Sequence, residues 1–332
     1  MNILNLKFLG KRLLRSVGIL FVILTLNFFI TRMMPGDVVV SLLGESEYNR
    51  LLVENPEKIE ETRVKYGLDK PLSTQYFLYL KNVAKLDFGY SYVNKQPVTA
   101  YVAYHMKWTL YLMIPVILLS ALIGGGLGLF AGWNSGGILD RIATPLFLFL
   151  NTVPSNCIAI LFLFAFSFKL GWFPIGGMSS GGLAGTAKAL DILWHMALPM
   201  FILVLSRVGS NYIYMKSYAS RIRSEEYILT AVSKGLPPRK VLVRHALKNI
   251  SLPYITLLCM QFGRILSGAM MIEVVFSWRG MGMLMSSAAN SKDYPVLQYS
   301  LLLIALCVIL SNFLADVINR CIDPRTRTGD GL

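Results

Sequence analysis

The chain has 332 residues, of which 55% are hydrophobic and only 15% charged, with a mean hydropathy of +0.55 and a formal net charge of +14. With several apolar runs near the length needed to cross a bilayer, this balance excludes a soluble globule and places the protein in the membrane class. Four cysteines that form no pair in an exposed outer loop, and three histidines scattered singly (His105, His195, His245), argue against a disulfide framework or a zinc site.

Residues 1–32 hold a basic start and a first span. Lys7, Lys11, Arg12 and Arg15 precede the run "SVGILFVILTLNFFIT", and because "RMMPGD" rather than a small-residue cleavage site follows, the span is read as uncleaved. Residues 33–107 are different in kind. They carry 9 basic and 9 acidic residues, half of the chain's acids. "NPEKIEETRVKYGL" predicts a short polar helix ended at Gly67, and the apolar residues of "YFLYLKNVAKLDFGYSY" predict a small folded lobe rather than a disordered loop.

Residues 108–319 read as five further spans, near 108–132, 142–168, 192–215, 252–275 and 297–319, and 320–332 as a tail. The expected fold is an all-α integral membrane protein of six spans. "GGGLG" at 124–128 and Pro115, Pro145, Pro154 and Pro199 are read as breaks that neighbouring helices or a wet cavity would satisfy. With the N-terminus in the cytoplasm, the cytoplasmic pieces hold 16 basic and 5 acidic residues, against zero net charge for 33–107. The positive excess is therefore a topology signal and needs no nucleic acid.

The loop 216–251 carries the most information. Pro237 and Pro238 follow Gly235 and start a new helix, because proline is tolerated in a first helical turn but not in an interior. Val243, Ala246, Leu247 and Ile250 recur at i, i+3, i+4, i+7, and Lys240, Arg244 and Lys248 recur on another face. A basic amphipathic helix of this kind either rests on anionic lipid or docks on a cytoplasmic partner.

"EEYILTAVSKGLPPRKVLVRHALKNISLPYIT" resembles the cytoplasmic loop of the inner-membrane permeases of ATP-binding-cassette importers, specifically the first permease of the dipeptide, oligopeptide and nickel systems. The family pattern falls on Glu226-Tyr227, Thr230-Ala231, Ser233 to Leu236, His245 to Asn249 and Pro253. Further motifs follow in family order, among them "MPGD" at 34–37, "YGLDKPLSTQY" at 66–76, "LGWFPIGG" at 170–177, "EVVFSWRGMG" at 273–282 and "DPRTR" at 323–327. The resemblance implies a type I permease fold, a second homologous permease, one or two ATPase chains and an extracytoplasmic solute-binding protein. It implies coupling to the ATPase through Glu226, Tyr227, Thr230, Ala231, Lys234, Gly235, Leu236, Arg239, Lys240, Arg244 and His245. Peptides are the expected cargo, with nickel chelates or oligosaccharides as alternatives in the same architecture.

The chain contains no Gly-Lys followed by Ser or Thr, so it lacks the phosphate cradle of an ATPase. ATP and its Mg are expected on partner subunits, with no catalytic residue, cofactor or metal here. Three charged residues fall inside spans, Arg207, Arg264 and Glu273, and are candidates for the translocation pathway. Nine residues along one helix would set Arg264 and Glu273 on opposite faces. Arg264 either faces the cavity or is held by a neighbouring helix's carbonyls, and Glu273 either bonds the "SWRGMG" turn or gates. A stand-alone secondary carrier would show symmetry between halves, which is not apparent, and an intramembrane hydrolase would need a nucleophile that His195 lacks.

Overall fold

The computed structural model describes residues 6–34, 36–267 and 269–322, and the tail motif at 323–327 lies outside them. The described residues are helices joined by turns, with a single isolated bridge between Tyr90 and Pro97. They divide into two compact units, one of Leu6–Lys107 with Gly280–Leu306, the other of Trp108–Arg279 with 307–322.

In the first unit, α1 (Leu6–Met33) leads to four short helices, α2 (Val38–Leu43), α3 (Glu45–Glu54), α4 (Pro56–Lys65) and α5 (Leu72–Ala84). Asp37 caps α2 by accepting from the Val39 amide at 2.9 Å, and its carboxylate pairs with Arg63. Val39, Leu51 and Ile59 form the small apolar core that this segment closes over. The polar helix expected up to Gly67 is α4. Gly67 has φ +65°, and the Gly67 and Leu68 amides return to Val64 and Arg63 carbonyls, the bonding of a Schellman end. On α1, Phe28 is fully buried against the rings of Tyr76 and Tyr79. The same unit holds α14 (Met281–Asn290) and the start of α15 (Tyr294–Ile322), where Asp293 accepts from Ser91 Oγ and the Tyr92 and Val93 amides.

The second unit contains most of α6 (Val98–Trp133), then α7 (Ile138–Thr152), α8 (Ser155–Phe162) with a π-helical extension to Lys169, and α9 (Gly185–Arg223). At 1.5 Å per residue the 36 residues of α6 span about 54 Å, well beyond a hydrocarbon core of about 30 Å. α6 and α9 are therefore longer than the expected spans at both ends. Pro115 and Pro199 lie inside unbroken helices.

Three expectations are corrected. The glycines at 124–128 do not break α6. A side chain at Gly124, Gly128 or Gly132 would lie within 2.5 Å of the carbonyl oxygens of Val208, Tyr212 and Lys216, so the glycines let the backbones of α6 and α9 meet. The span expected at 142–168 is bent by 93° where α7 gives way to α8, because Pro154 offers no amide and holds Val153 extended at ψ 122°. The span expected at 252–275 is two helices, α12 (Leu247–Gly263) and α13 (Met270–Val275), separated by a turn. Gly263 lies against Ser311, where a side chain would meet Cβ at 2.9 Å. Among the described residues, four helices are long and apolar enough to cross a membrane, or five counting the bent pair as one.

Candidate functional site

The loop 216–251 folds as a helical hairpin, α10 (Glu226–Ser233) and α11 (Pro238–Val241), which runs through one π-helical stretch (Leu242–Ala246) into α12. Pro237 is the N-cap and Pro238 the first residue of α11, as the fixed φ of proline favours. Between the helices, Gly235 adopts φ +76°. Its amide bonds Val232 O at 2.9 Å and the Leu236 amide bonds Ala231 O at 3.4 Å, again the Schellman pattern. Leu236 packs on the apolar cluster that contains Ala231, the hydrophobic contact that accompanies such an end.

One face of the hairpin is an anchor. Ile228, Ala231, Val241, Ala246 and Ile250 are buried together with Ala121 of α6, Met215 and Ala219 of α9 and Tyr254 of α12. The anchoring positions 241, 246 and 250 are spaced five and then four apart, because a π-helical stretch bonds i to i+5 and shifts the stripe by a residue. Hence the stripe expected from Val243 is displaced. Val243 is two-thirds exposed, and Val241 takes its place inside.

The opposite face is free. Tyr227, Leu229, Val232 and Val243 are exposed apolar residues beside the exposed Glu226, Thr230, Lys234, Arg239, Lys240 and Arg244, with His245 half-buried. Asn249 Nδ2 donates to Tyr227 Oη at 2.8 Å, tying α10 to the base of α12. Of the eleven residues expected in this loop, Ala231 is an anchor, Leu236 a half-buried spacer and His245 half-buried, while the other polar and charged ones are presented outward. Elsewhere in the same unit, Asp140 at the start of α7 pairs with Lys216 of α9 and accepts from the Gly136 amide at 2.9 Å and Thr144 Oγ1 at 2.7 Å. The Gly136 amide first, then Lys216 and Thr144, hold its carboxyl down at about 2.

The three charged span residues occupy different settings. Glu273, in α13, is fully buried and accepts from Thr109 Oγ1 of α6 at 2.6 Å, and its carbonyl receives the Trp278 amide at 2.8 Å. Arg264 is the exposed C-cap of α12, so it and Glu273 share no helix and the opposite-face argument does not apply. Arg207 is half-buried on α9, one turn before Asn211. No spacing motif in the sequence singles out Asn211. It is fully buried and joins Ser120 Oγ (3.3 Å), Tyr254 Oη (3.2 Å) and Gln261 Nε2 (3.1 Å) from α6 and α12. An uncharged amide inside an apolar span was the available signal, since polar groups there must find one another.

Two family models together match most of the chain. Residues 124–328 match "Binding-protein-dependent transport system inner membrane component", and residues 5–113 match the corresponding N-terminal model of the membrane component. The chain belongs to this family. The permease is 32% identical to a putative peptide permease protein of Brucella suis biovar 1, over 97% of this chain and 99% of the relative. It is 30% identical to a glutathione transport system permease protein of Escherichia coli K12, with the same coverage. It is thus a multi-pass inner-membrane component of a transport system. Among its described residues, no group of three or more His, Cys, Asp or Glu side chains comes together as a metal site.

Proposed function

We propose that the permease forms half of the path by which an ATP-driven importer takes up short peptides, a second homologous permease forming the other half. The hairpin α10–α11 is the seat for a cytoplasmic ATPase, and residues 33–107 are the outer lobe that meets a solute-binding protein. The observation that carries this reading is the division of the hairpin into a buried anchor and an outward apolar and charged face. A segment merely resting on lipid has no need of a Schellman junction bolted to α6, α9 and α12. Movement imposed on α10 would pass into α9 and, through the continuous π-helical turn, into α12.

ATP and Mg act on the partner chains, and this chain contributes no catalytic group. Nucleotide binding shifts the bundle between outward- and inward-open states only by its differential affinity for the two. Peptide cargo is supported by the names of the relatives, one a peptide permease and the other a permease for glutathione, itself a tripeptide. Arg207 and Arg264 would line the path as cationic positions, and Glu273 would brace it from within α13.

The test is reconstitution of the complete complex in liposomes with its binding protein, following ATP-dependent uptake of a peptide mixture by mass spectrometry. Peptide accumulation that is lost in Lys240→Glu while ATPase chains still hydrolyse ATP supports the reading. Turnover with uptake of nickel chelates or oligosaccharides, and of no peptide, overturns the cargo.

A further inference from the structure

The first unit, which holds the lobe together with α1 and the start of α15, contains a cavity of about 470 Å³ beside α5 and the segment 87–92, within the size range of small-molecule sites. A second cavity of about 380 Å³ adjoins the same side chains, for Arg32 and Gln75 line both. Arg32 lies near the end of α1, its guanidinium 5.6 Å from the ring centre of Phe28 and 5.0 Å from that of Tyr294. Its Nε is buried and meets no acceptor among the described residues.

The acids around it are already engaged. Asp37 is paired with Arg63 and caps α2, Asp293 is taken by Ser91 and two amides, and Asp87 accepts from the Gly89 amide at 3.1 Å. Ring faces attract a guanidinium but cannot take its in-plane donors as a carboxylate does. Among the described residues no carboxylate comes within ion-pair distance of Arg32, so a ligand carboxylate would supply the contact that this half-buried cation lacks.

Other groups in the cavity complete a recognisable pattern. Tyr79 and Tyr92 line it, and burial pushes both phenols up to about 12, so each keeps a proton to donate at neutral pH. Gln75 Nε2 donates to Lys70 O at 2.7 Å, which fixes the amide's orientation, and leaves its Oε1 buried without a partner. The cavity therefore offers a cation and hydroxyl donors together with an unfilled amide acceptor. These are the complements of a carboxylate and of a peptide N–H.

We infer that the lobe itself binds short peptides in this cavity, the free C-terminal carboxylate on Arg32 and a peptide N–H on Gln75 Oε1. This rests on the peptide-import reading and deepens it, by placing a cargo contact in the lobe rather than in the spans alone. Peptide released from a binding protein would meet a site selective for a free C-terminus before it enters the path.

The experiment uses the detergent-purified complex without its binding protein, and equilibrium dialysis of the dipeptide Ala-Phe and its C-terminal amide. Wild type should hold the acid about tenfold more tightly than the amide, the scale of one charge-assisted hydrogen bond, and Arg32→Gln should erase that preference. Should Arg32→Gln fail to assemble, Gln75→Leu serves, and is expected to weaken both probes several-fold while leaving the acid preferred. No preference in wild type, a preference that survives Arg32→Gln, or unchanged binding in Gln75→Leu would overturn the inference. Uptake of Ala-Phe in the reconstituted system separates the two readings. Normal uptake with no dialysable binding sinks the lobe site alone, whereas absence of uptake of any peptide sinks the import reading with it. A carboxylate site filled by an acidic loop of the binding protein would appear as an Arg32-dependent cross-link without discrimination between acid and amide, and would also overturn it.

Discussion

Gly235 shows how one backbone angle can set the geometry of a docking element. At φ +76° a side chain has open space around it, so the penalty for substitution is conformational rather than steric. A left-handed residue other than glycine costs about 1–2 kcal/mol, and asparagine tolerates the region better than branched residues do. Gly235→Val should therefore lower peptide-stimulated ATP turnover severalfold with little change in the amount of assembled permease, and Gly235→Asn should retain most of it. Equal losses in both would show that the angle is not what matters. Asp140 makes a pH-dependent contribution that can be worked out by sign. Its carboxyl is held at about 2, below its ordinary value near 3.8, so its stabilisation is complete above that ordinary value and disappears as pH falls towards 2. Asp140→Asn should lower the Tm of the purified permease by a constant amount from pH 8 to pH 5, and the gap should close below about pH 4. A gap that widens in acid would contradict the assignment of Gly136, Lys216 and Thr144 as the cause.

Among the elements, α6 and α9 are held by contact of backbone with backbone. Gly128 and Gly132 each lie where a side-chain carbon would be 2.4 Å from a carbonyl of α9, and a carbonyl within a helix cannot step aside as a flexible side chain can. Overpacking of this type costs about 1–3 kcal/mol. Gly128→Val should reduce the Tm and the yield of monodisperse permease, whereas Gly126→Val, at a position with nothing within 4 Å, should leave both unchanged. Differential scanning fluorimetry in detergent would distinguish them. The same helices show which features were legible in the sequence. Apolar length announced α1, α6, α9 and α15, and the order Gly235, Pro237, Pro238 announced the hairpin, because those signals are local. The split between α12 and α13 and the shift of the anchor stripe to Val241 were not legible. The first coincides with a close approach of Gly263 to Ser311 of another helix, which no local pattern announces, and the second depends on a π-helical turn that the 3.6-residue period does not describe. Asn211 was missed for a related reason, since its partners come from two other helices and its meaning lies in their meeting.

For the molecule as a whole, the distribution of charge argues for one orientation in the membrane. The segments at the N-terminus, around residue 140, at 216–251 and from 320 onward hold 16 of the 32 lysines and arginines, with 5 acids, while 33–107 is neutral in sum. Basic residues flanking spans in short loops favour the cytoplasmic side, and residues 216–251 are the strongest such block, with 8 basic and 2 acidic residues. The folded lobe adds a second constraint, since its neutral surface of mixed charges crosses the membrane without opposing that bias. The orientation is measurable by labelling single cysteines with a membrane-impermeant maleimide, after replacement of the four native cysteines. Glu47→Cys, on the lobe, should react in intact cells. Ser233→Cys, on the exposed end of α10, should react only once the inner face is opened, as in inverted vesicles. The reverse pattern would place the hairpin outside, away from any ATP, and with it would fall the coupling role of Lys234, Arg239 and Lys240. Labelling of both sites from the same side would leave an even number of crossings between residues 47 and 233. It would require either the bent pair α7–α8 to re-enter without crossing or one of the long helices to lie along the surface.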